Sequence, residues 1–272
     1  MQINGKVALV LGAVKGIGKA VGLALAEEGA SLVLTRYDWK EAFGPMADAF
    51  KASGADHQIV TTDLRRPEEI QALAERIKEK YGRLDILINN IERGGWPVVH
   101  GKYTQAQWDL EIETTLKAKQ WVFSTMFDLL AASDDAVVIN LSSVAGLTGR
   151  SGPAALVFND AYALASRGVS SLTETWARMG APTIRVNEIM LGIFETRHAQ
   201  GTRGWEEVLT EDEKKALIDH ILLQRTGCLP DVVKACLFMI KDAPYMTGSI
   251  LRLDGGFVLG GEKVPPMPKG VV

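Results

Sequence analysis

The chain has 272 residues, 47% of them hydrophobic, with 30 Lys and Arg against 33 Asp and Glu and a formal net charge of -3. A chain of this size buries a large core, and its weak acidity gives no attraction for nucleic acid or an anionic membrane. No apolar run spans a bilayer, Met1–Lys6 lacks the layout of a signal peptide, and Cys228 and Cys236 form neither a disulfide framework nor a zinc pattern. A cytoplasmic protein with reduced thiols is expected.

Val7–Leu11 is an almost wholly apolar run, the pattern of a strand buried on both faces. Gly12, Gly16 and Gly18 follow it, and Lys19–Glu28 reads as a helix. Strand, glycine turn and helix is the context in which such glycines bind a nucleotide. They let the backbone turn sharply and approach a pyrophosphate, which sits on the N–H groups of the helix N-terminus. The spacing is G-x-x-x-G-x-G, one residue longer in its first gap than G-x-G-x-x-G. Gly29 ends the helix, and Ser31–Thr35 is the second strand. An acidic residue at the tip of this strand, about 20 residues past the glycines, would bond the ribose 2′-OH of NAD. Here that position is Arg36, and Lys15 stands in the glycine turn. Two cations suit a 2′-phosphate, so NADP(H) is expected. Asp38 keeps NAD(H) as the lesser alternative.

Glu41–Ser53 is helical, His57–Thr61 is a third strand running to Asp63 and Leu64, and Pro67–Lys80 is a helix with Pro67 in its first turn. Leu84–Ile88 is a fourth strand, followed by Asn89 and Asn90 and a loop from 91 to 106. Gln107–Ala132 reads as one long helix. Ala136–Leu141 is a fifth strand, ending at Ser142, Ser143 and a glycine-bearing loop. Asn159–Met179 is a helix and Thr183–Glu188 a sixth strand. Residues 190–210 are irregular, Glu211–Leu222 and Pro230–Ile240 are helices, and Ser249–Leu253 is a seventh strand capped by Asp254, Gly255 and Gly256. The tail, Glu262–Val272, is expected to be extended. Strand and helix alternate without a linker. This predicts one α/β domain over residues 1–261: a Rossmann-type doubly wound parallel sheet of about seven strands with helices on both faces. The loops after Leu11, Ile88, Leu141 and Glu188 then share one crevice at the carboxyl ends of the strands.

The motifs in this order resemble the short-chain dehydrogenase/reductase family over nearly the whole chain. They are the GAVKGIG turn, Asp63-Leu64, LDILINN (Leu84–Asn90), NLSSVAG (Asn140–Gly146), IRVNEI (Ile184–Ile189), GIFET (Gly192–Thr196) and, after Arg225, YMTGSILRLDGG. The resemblance implies hydride transfer between a nicotinamide and an alcohol or carbonyl carbon of a small molecule. It implies cofactor contacts at Gly12, Lys15, Gly16, Ile17, Gly18, Arg36, Asp63, Leu64, Asn90, Phe194 and Thr196. It also implies a homo-oligomer, most often a tetramer, paired through the helices at Gln107–Ala132 and Asn159–Met179.

Carried over residue by residue, the catalytic set is incomplete. Ser143 matches the serine that bonds the substrate oxygen, and Tyr162 matches the acid/base. The lysine four residues after the tyrosine is Ser166, and the supporting Asn of the long helix is Thr115. The usual Asn-Asn-Ala-Gly reads Asn89-Asn90-Ile91-Glu92. Ser143 and Tyr162 also stand farther apart than in the family, with the excess between Gly152 and Ala161.

A tyrosine with a pKa of about 10 donates a proton readily at neutral pH but is a poor base, and a nearby ammonium corrects this. Ser166 shares the helix face of Tyr162 and can replace a ribose bond but not the charge. Arg167 is the nearest cation, five residues on and about 140° around the helix from Tyr162, and its long side chain makes it the candidate to replace the lysine's charge, the alternative being a solvated surface residue. The alternative to an enzyme is a dinucleotide-binding protein of this fold without turnover. Glu92, Trp96, His100, Tyr103 and Trp205 lie in loops that can wall a substrate cleft, and Gly192–Leu222 reads as a lid over it. The four histidines have no metal-ligand spacing, so no metal is expected.

Overall fold

Each apolar run becomes a strand of one sheet in the computed structural model, which describes residues 1–91, 104–195, 209–262, 264–267 and 270. The strands are β1 (Val7–Val10), β2 (Ser31–Arg36), β3 (His57–Thr61), β4 (Ile86–Asn89), β5 (Ala136–Ser143), β6 (Ile184–Leu191) and β7 (Ile250–Leu253). They form a seven-stranded sheet in the order β3-β2-β1-β4-β5-β6-β7. Every neighbouring pair is parallel. The order reverses direction between β1 and β4, which makes their carboxyl ends the switch point. The expected fold class is the observed one.

The helices are α1 (Gly16–Glu27), α2 (Phe43–Ser53), α3 (Pro67–Tyr81), α4 (Gln105–Ile112), α5 (Ala118–Ala131), α6 (Ala145–Thr148), α7 (Asp160–Gly180), α8 (Glu211–His220) and α9 (Leu229–Lys241). Alternate residues of β1 feed two cores. Ala8 and Val10 pack with Val21 and Leu25 of α1, Phe50 of α2 and Met239 of α9. Val7 and Leu9 pack with Ile70 of α3, Phe123 of α5 and Trp176 of α7. The rings of Phe123 and Trp176 stack with centroids 4.3 Å apart, locking α5 to α7. Burying each such side chain contributes about 1.5–3 kcal/mol, which is why the sheet is covered on both faces.

Charged residues tie the layers together at the other end of the strands. Asp85, fully buried, accepts from the Val7 N–H at 2.8 Å and from Ser133 Oγ at 2.6 Å, and pairs with Arg83 at 3.0 Å. Arg185 of β6 donates to the carbonyls of Met239, Ile240 and Ala243 at 3.0, 3.2 and 3.0 Å, closing the C-terminus of α9.

Three features differ from the sequence reading. β5 and β6 run on to Ser143 and Leu191, because the neighbouring strand satisfies the polar residues there and the ladder continues through Ser143↔Leu191. The long helix is not continuous: a π turn, Glu113–Lys117, separates α4 from α5. The glycine-bearing loop after β5 contains α6 and a 3₁₀ turn, Gly152–Leu156. The expected lid lies partly outside the described residues. Its described part holds α8, and Leu209, Leu217 and Ile221 are buried there. Among the described residues no helix is long and apolar enough to cross a membrane.

Candidate active site

The cofactor end of the crevice is built by the chain between β1 and α1. The Leu11 N–H donates to the Ile88 carbonyl at 3.1 Å and the Gly12 N–H to Thr35 Oγ1 at 3.0 Å, so the turn hangs between β2 and β4. Asn90 Nδ2 donates to the carbonyls of Leu11 and Gly12 at 3.3 and 3.4 Å. Gly12 has φ +63°, and a Cβ there would lie 2.5 Å from the Asn90 carbonyl oxygen. A Cβ on Gly18 would lie 2.2 Å from the Gly12 carbonyl oxygen, so only glycine lets α1 sit this close to the turn. A Cβ at Gly16 would meet nothing within 4 Å. No side chain caps α1, which leaves the N–H groups of Gly16, Ile17 and Gly18 for an anionic group in that space. The turn therefore fits a pyrophosphate.

Both cations expected at the ribose stand on aromatic rings that the sequence reading missed. The Arg36 guanidinium lies 4.4 Å from the Phe43 ring centroid, and its Nε donates to Thr61 Oγ1 at 3.0 Å. Among the described residues no carboxylate pairs with it. Lys15 Nζ lies 3.4 Å from the centroid of Trp39, a residue held at φ 65°. The signal was the aromatic pair flanking Asp38, Tyr37 and Trp39, together with Phe43. Leu64 is buried beside Asp63. Asp63 pairs with Arg65 at 2.6 Å; burial pushes its carboxyl up, and the Arg65 bonds outweigh burial and hold it below the usual range.

At the other end, Ser143 closes β5 and is buried, its Oγ accepting from the Ala145 N–H at 3.1 Å. Tyr162 stands in the first turn of α7, where Asn159 caps the helix by accepting the Tyr162 N–H at 2.8 Å. Its ring tilts against Phe158 at 5.9 Å. A Cβ on Gly146 would lie 2.8 Å from the Arg167 nitrogen, so the turn after Ser143 rests directly on the α7 backbone at Ser166 and Arg167. Ser166 is fully buried and its hydroxyl has no hydrogen-bond partner, whereas Arg167 is exposed. Thr115 lies inside the π turn and donates to Glu111 Oε1 at 2.6 Å. Phe194 bridges to Gly227 and lies against it. Thr196, Glu92, Trp96, His100, Tyr103 and Trp205 lie outside the described residues.

The segment that lengthens the Ser143–Tyr162 interval forms a wall. Ala154, Leu156 and Phe158 pack with Val144, Ile193 and Leu217 in a third apolar cluster.

Two charged residues at this end were not found in the sequence. Lys119, on α5, is 1% exposed, and its Nζ donates to the Ile91 carbonyl. Glu188 is fully buried in β6 and accepts from Ser142 Oγ and, at 3.1 Å, from Ser170 Oγ. Burial pushes its carboxyl above the usual range, against the two serine bonds and the charges of Lys119 and Arg167. A carboxylate inside an apolar strand run, IRVNEIML, was the available signal for Glu188. Lys119 had none, since a helix of mixed polarity does not mark which lysine is buried.

The chain matches known proteins along nearly its whole length. A family model described as enoyl-(acyl carrier protein) reductase matches residues 12–258. The chain is 30% identical over 263 residues to 3-oxoacyl-(acyl-carrier-protein) reductase FabG of Thermotoga maritima, covering 95% of this chain and 100% of that protein. It is 32% identical over 264 residues to 1,6-dihydroxycyclohexa-2,4-diene-1-carboxylate dehydrogenase of Pseudomonas putida, covering 94% and 93%. The crystal structure of a protein described as a short-chain alcohol dehydrogenase from Sinorhizobium meliloti 1021 superposes with a TM-score of 0.81 at 28% identity, covering 96% of this chain and 100% of that one. Kinship over this length, with the same fold beneath it, places the chain in the short-chain dehydrogenase/reductase family of oxidoreductases.

Proposed function

We propose that the protein transfers a hydride between the nicotinamide of NADP(H) and a carbonyl or alcohol carbon of a small molecule, with Tyr162 as the proton donor in reduction and Ser143 holding the substrate oxygen. The observation that carries this reading is the pair of buried hydroxyls, Ser143 and Tyr162, on two elements that Gly146 lets pack in direct contact. The glycine cradle belongs to the same set of loops. Bound there, NADPH supplies the hydride. Tyr162 gives its phenolic proton to the oxygen that becomes the alcohol, and a neutral phenol can do so at pH 7. Ser143 orients that oxygen. The wall of Leu156, Phe158 and Ile193 suits an apolar portion of the substrate.

The competing reading, a dinucleotide-binding protein without turnover, draws on Ser166 and Thr115 in place of the family's lysine and asparagine. A panel of carbonyls and alcohols, including a 3-oxoacyl thioester and a cyclic diol, assayed with NADPH and NADP separates the two. Tyr162→Phe is expected to lower the reduction rate about 10²–10⁴-fold. Unchanged turnover in that variant rejects Tyr162 as the donor. Tight NADPH binding without turnover of any panel member moves the protein to the second reading.

A further inference from the structure

We propose that Lys119, reaching in from α5 beside Glu188, supplies through space the positive charge that this site lacks at Ser166. The inference rests on the hydride-transfer reading and names the group that makes Tyr162 a two-way acid/base.

Tyr162, Ser166 and Ser170 stand four residues apart and form one buried stripe on α7. Two buried polar atoms here have no hydrogen-bond partner among the described residues: Ser166 Oγ on this stripe and, on β6 facing Ser170, Glu188 Oε2. The other oxygen of Glu188 is taken by Ser142 and Ser170. Buried polar atoms without partners are rare and call for an explanation. These two mark the place where a side chain longer than serine would project from position 166.

Lys119 approaches the same place from the facing helix. β4 and β5 pair as far as Asn89↔Asn140, and Ile91 follows two residues past the carboxyl end of β4, the same end of the sheet at which β5 carries Ser142 and Ser143. The Lys119 ammonium bonds the Ile91 carbonyl and so sits at that end of the sheet. Gly168 of α7 packs against the side chain of Leu116 in the π turn, which brings the start of α5 onto α7 two residues past Ser166. The π turn adds a residue immediately before α5 and so rotates everything after it by about 100° relative to a continuous α-helix. That rotation sets which α5 residue faces inward.

A lysine is almost never fully buried without a charged or chemical reason. Lys119 and, from α7, Arg167 both act electrostatically on Glu188 of β6, and the buried Glu111 of α4 accepts from Thr115. Arg167 is exposed, and its charge acts on Glu188 less than that of Lys119 does. In reduction, Tyr162 loses its proton to the substrate oxygen. The Lys119 charge stabilises the phenolate until a proton from solvent returns to it. In oxidation, the same charge lets Tyr162 start as the base.

Titration of the Tyr162 phenol by ultraviolet difference absorbance, with NADP bound and with Tyr162→Phe as the blank, tests this without needing turnover. Lys119→Gln keeps a donor for the Ile91 carbonyl but removes the charge. It is expected to raise the Tyr162 midpoint by about one pH unit, a tenfold loss of phenolate at neutral pH. Adding Ser166→Lys to that variant is expected to bring the midpoint back down, and Arg167→Met is expected to leave it in place. Should Lys119→Gln not fold, Lys119→Met is read in the same way. An unmoved midpoint on loss of the Lys119 charge, or a midpoint that follows Arg167 instead, overturns the proposal. A shifted midpoint in a protein that reduces no panel carbonyl removes the hydride-transfer reading and leaves the Lys119–Tyr162 coupling standing.

Discussion

On the NADP(H) reading we propose, Arg36 sets cofactor choice through one exchange, a guanidinium where an NAD site carries a carboxylate. Its plane rests on Phe43 and its Nε is tied to Thr61, so the fork is held in position before any ligand arrives. Pre-orientation of this kind reduces the entropy lost when a 2′-phosphate is gripped. Charge-assisted hydrogen bonds of about 1.5–3 kcal/mol correspond to roughly 10- to 100-fold in affinity. Fluorescence titration of the wild type is expected to show tighter binding of NADPH than of NADH. Arg36→Asp is expected to weaken NADPH by about that factor and to narrow or reverse the gap. Equal affinity of the wild type for both reduced cofactors would reject NADP(H) as the cofactor.

Among the elements, β4 is the one whose entry depends on a single side chain. Asp85 stands just before it and joins the start of β1, Ser133 two residues past α5, and Arg83. Burial alone would raise its carboxyl. The Ser133 hydroxyl, the Val7 N–H and the charges of Lys6 and Arg83 together hold it below the usual range. A carboxyl depressed in the folded state contributes stability above its unfolded pKa of about 3.9 and loses it as pH falls through the folded value. Asp85→Asn is therefore expected to cost about 2 kcal/mol near neutral pH, seen as a lower melting temperature. The difference from wild type should shrink steadily below about pH 4. A deficit that persists undiminished at pH 3 would show that packing, not ionisation, accounts for it.

The whole molecule presents an uncovered apolar strip on the helices that back the catalytic end. Trp121 of α5 is 44% exposed, and Leu164 and Met179 of α7 are each 57% exposed. We propose a homotetramer paired through these helices. Light scattering at micromolar protein is expected to give about four times 29.5 kDa, and Leu164→Glu to shift the population toward smaller species. A monomeric mass for the wild type would defeat this. Pairing through α5 and α7 would also stiffen the two helices that carry Lys119 and Tyr162.

The sequence by itself determined the strands, their parallel alternation with helices, the glycine cradle, Arg36 and the Ser143–Tyr162 pair. Each of these is local. An apolar run, a turn that only glycine can make and a residue at a fixed offset from a strand end depend on their own few neighbours. It also marked the absence of a lysine at Ser166, because that absence is again one residue at one spacing. Only the tertiary structure shows a buried ammonium at the carboxyl end of β4, the one we propose takes the lysine's place. Lys119 lies 47 residues before Ser166 in the chain. Its inward placement goes with the π turn before α5 and with β4 lying beside β5. The burial of Glu188 between Ser142 and Ser170, and the folding of residues 152–158 into a wall, have the same cause. Periodicity states which face of an element is apolar. The partner that covers that face, and hence the dielectric around any charge on it, is set by crossovers that return from distant parts of the chain.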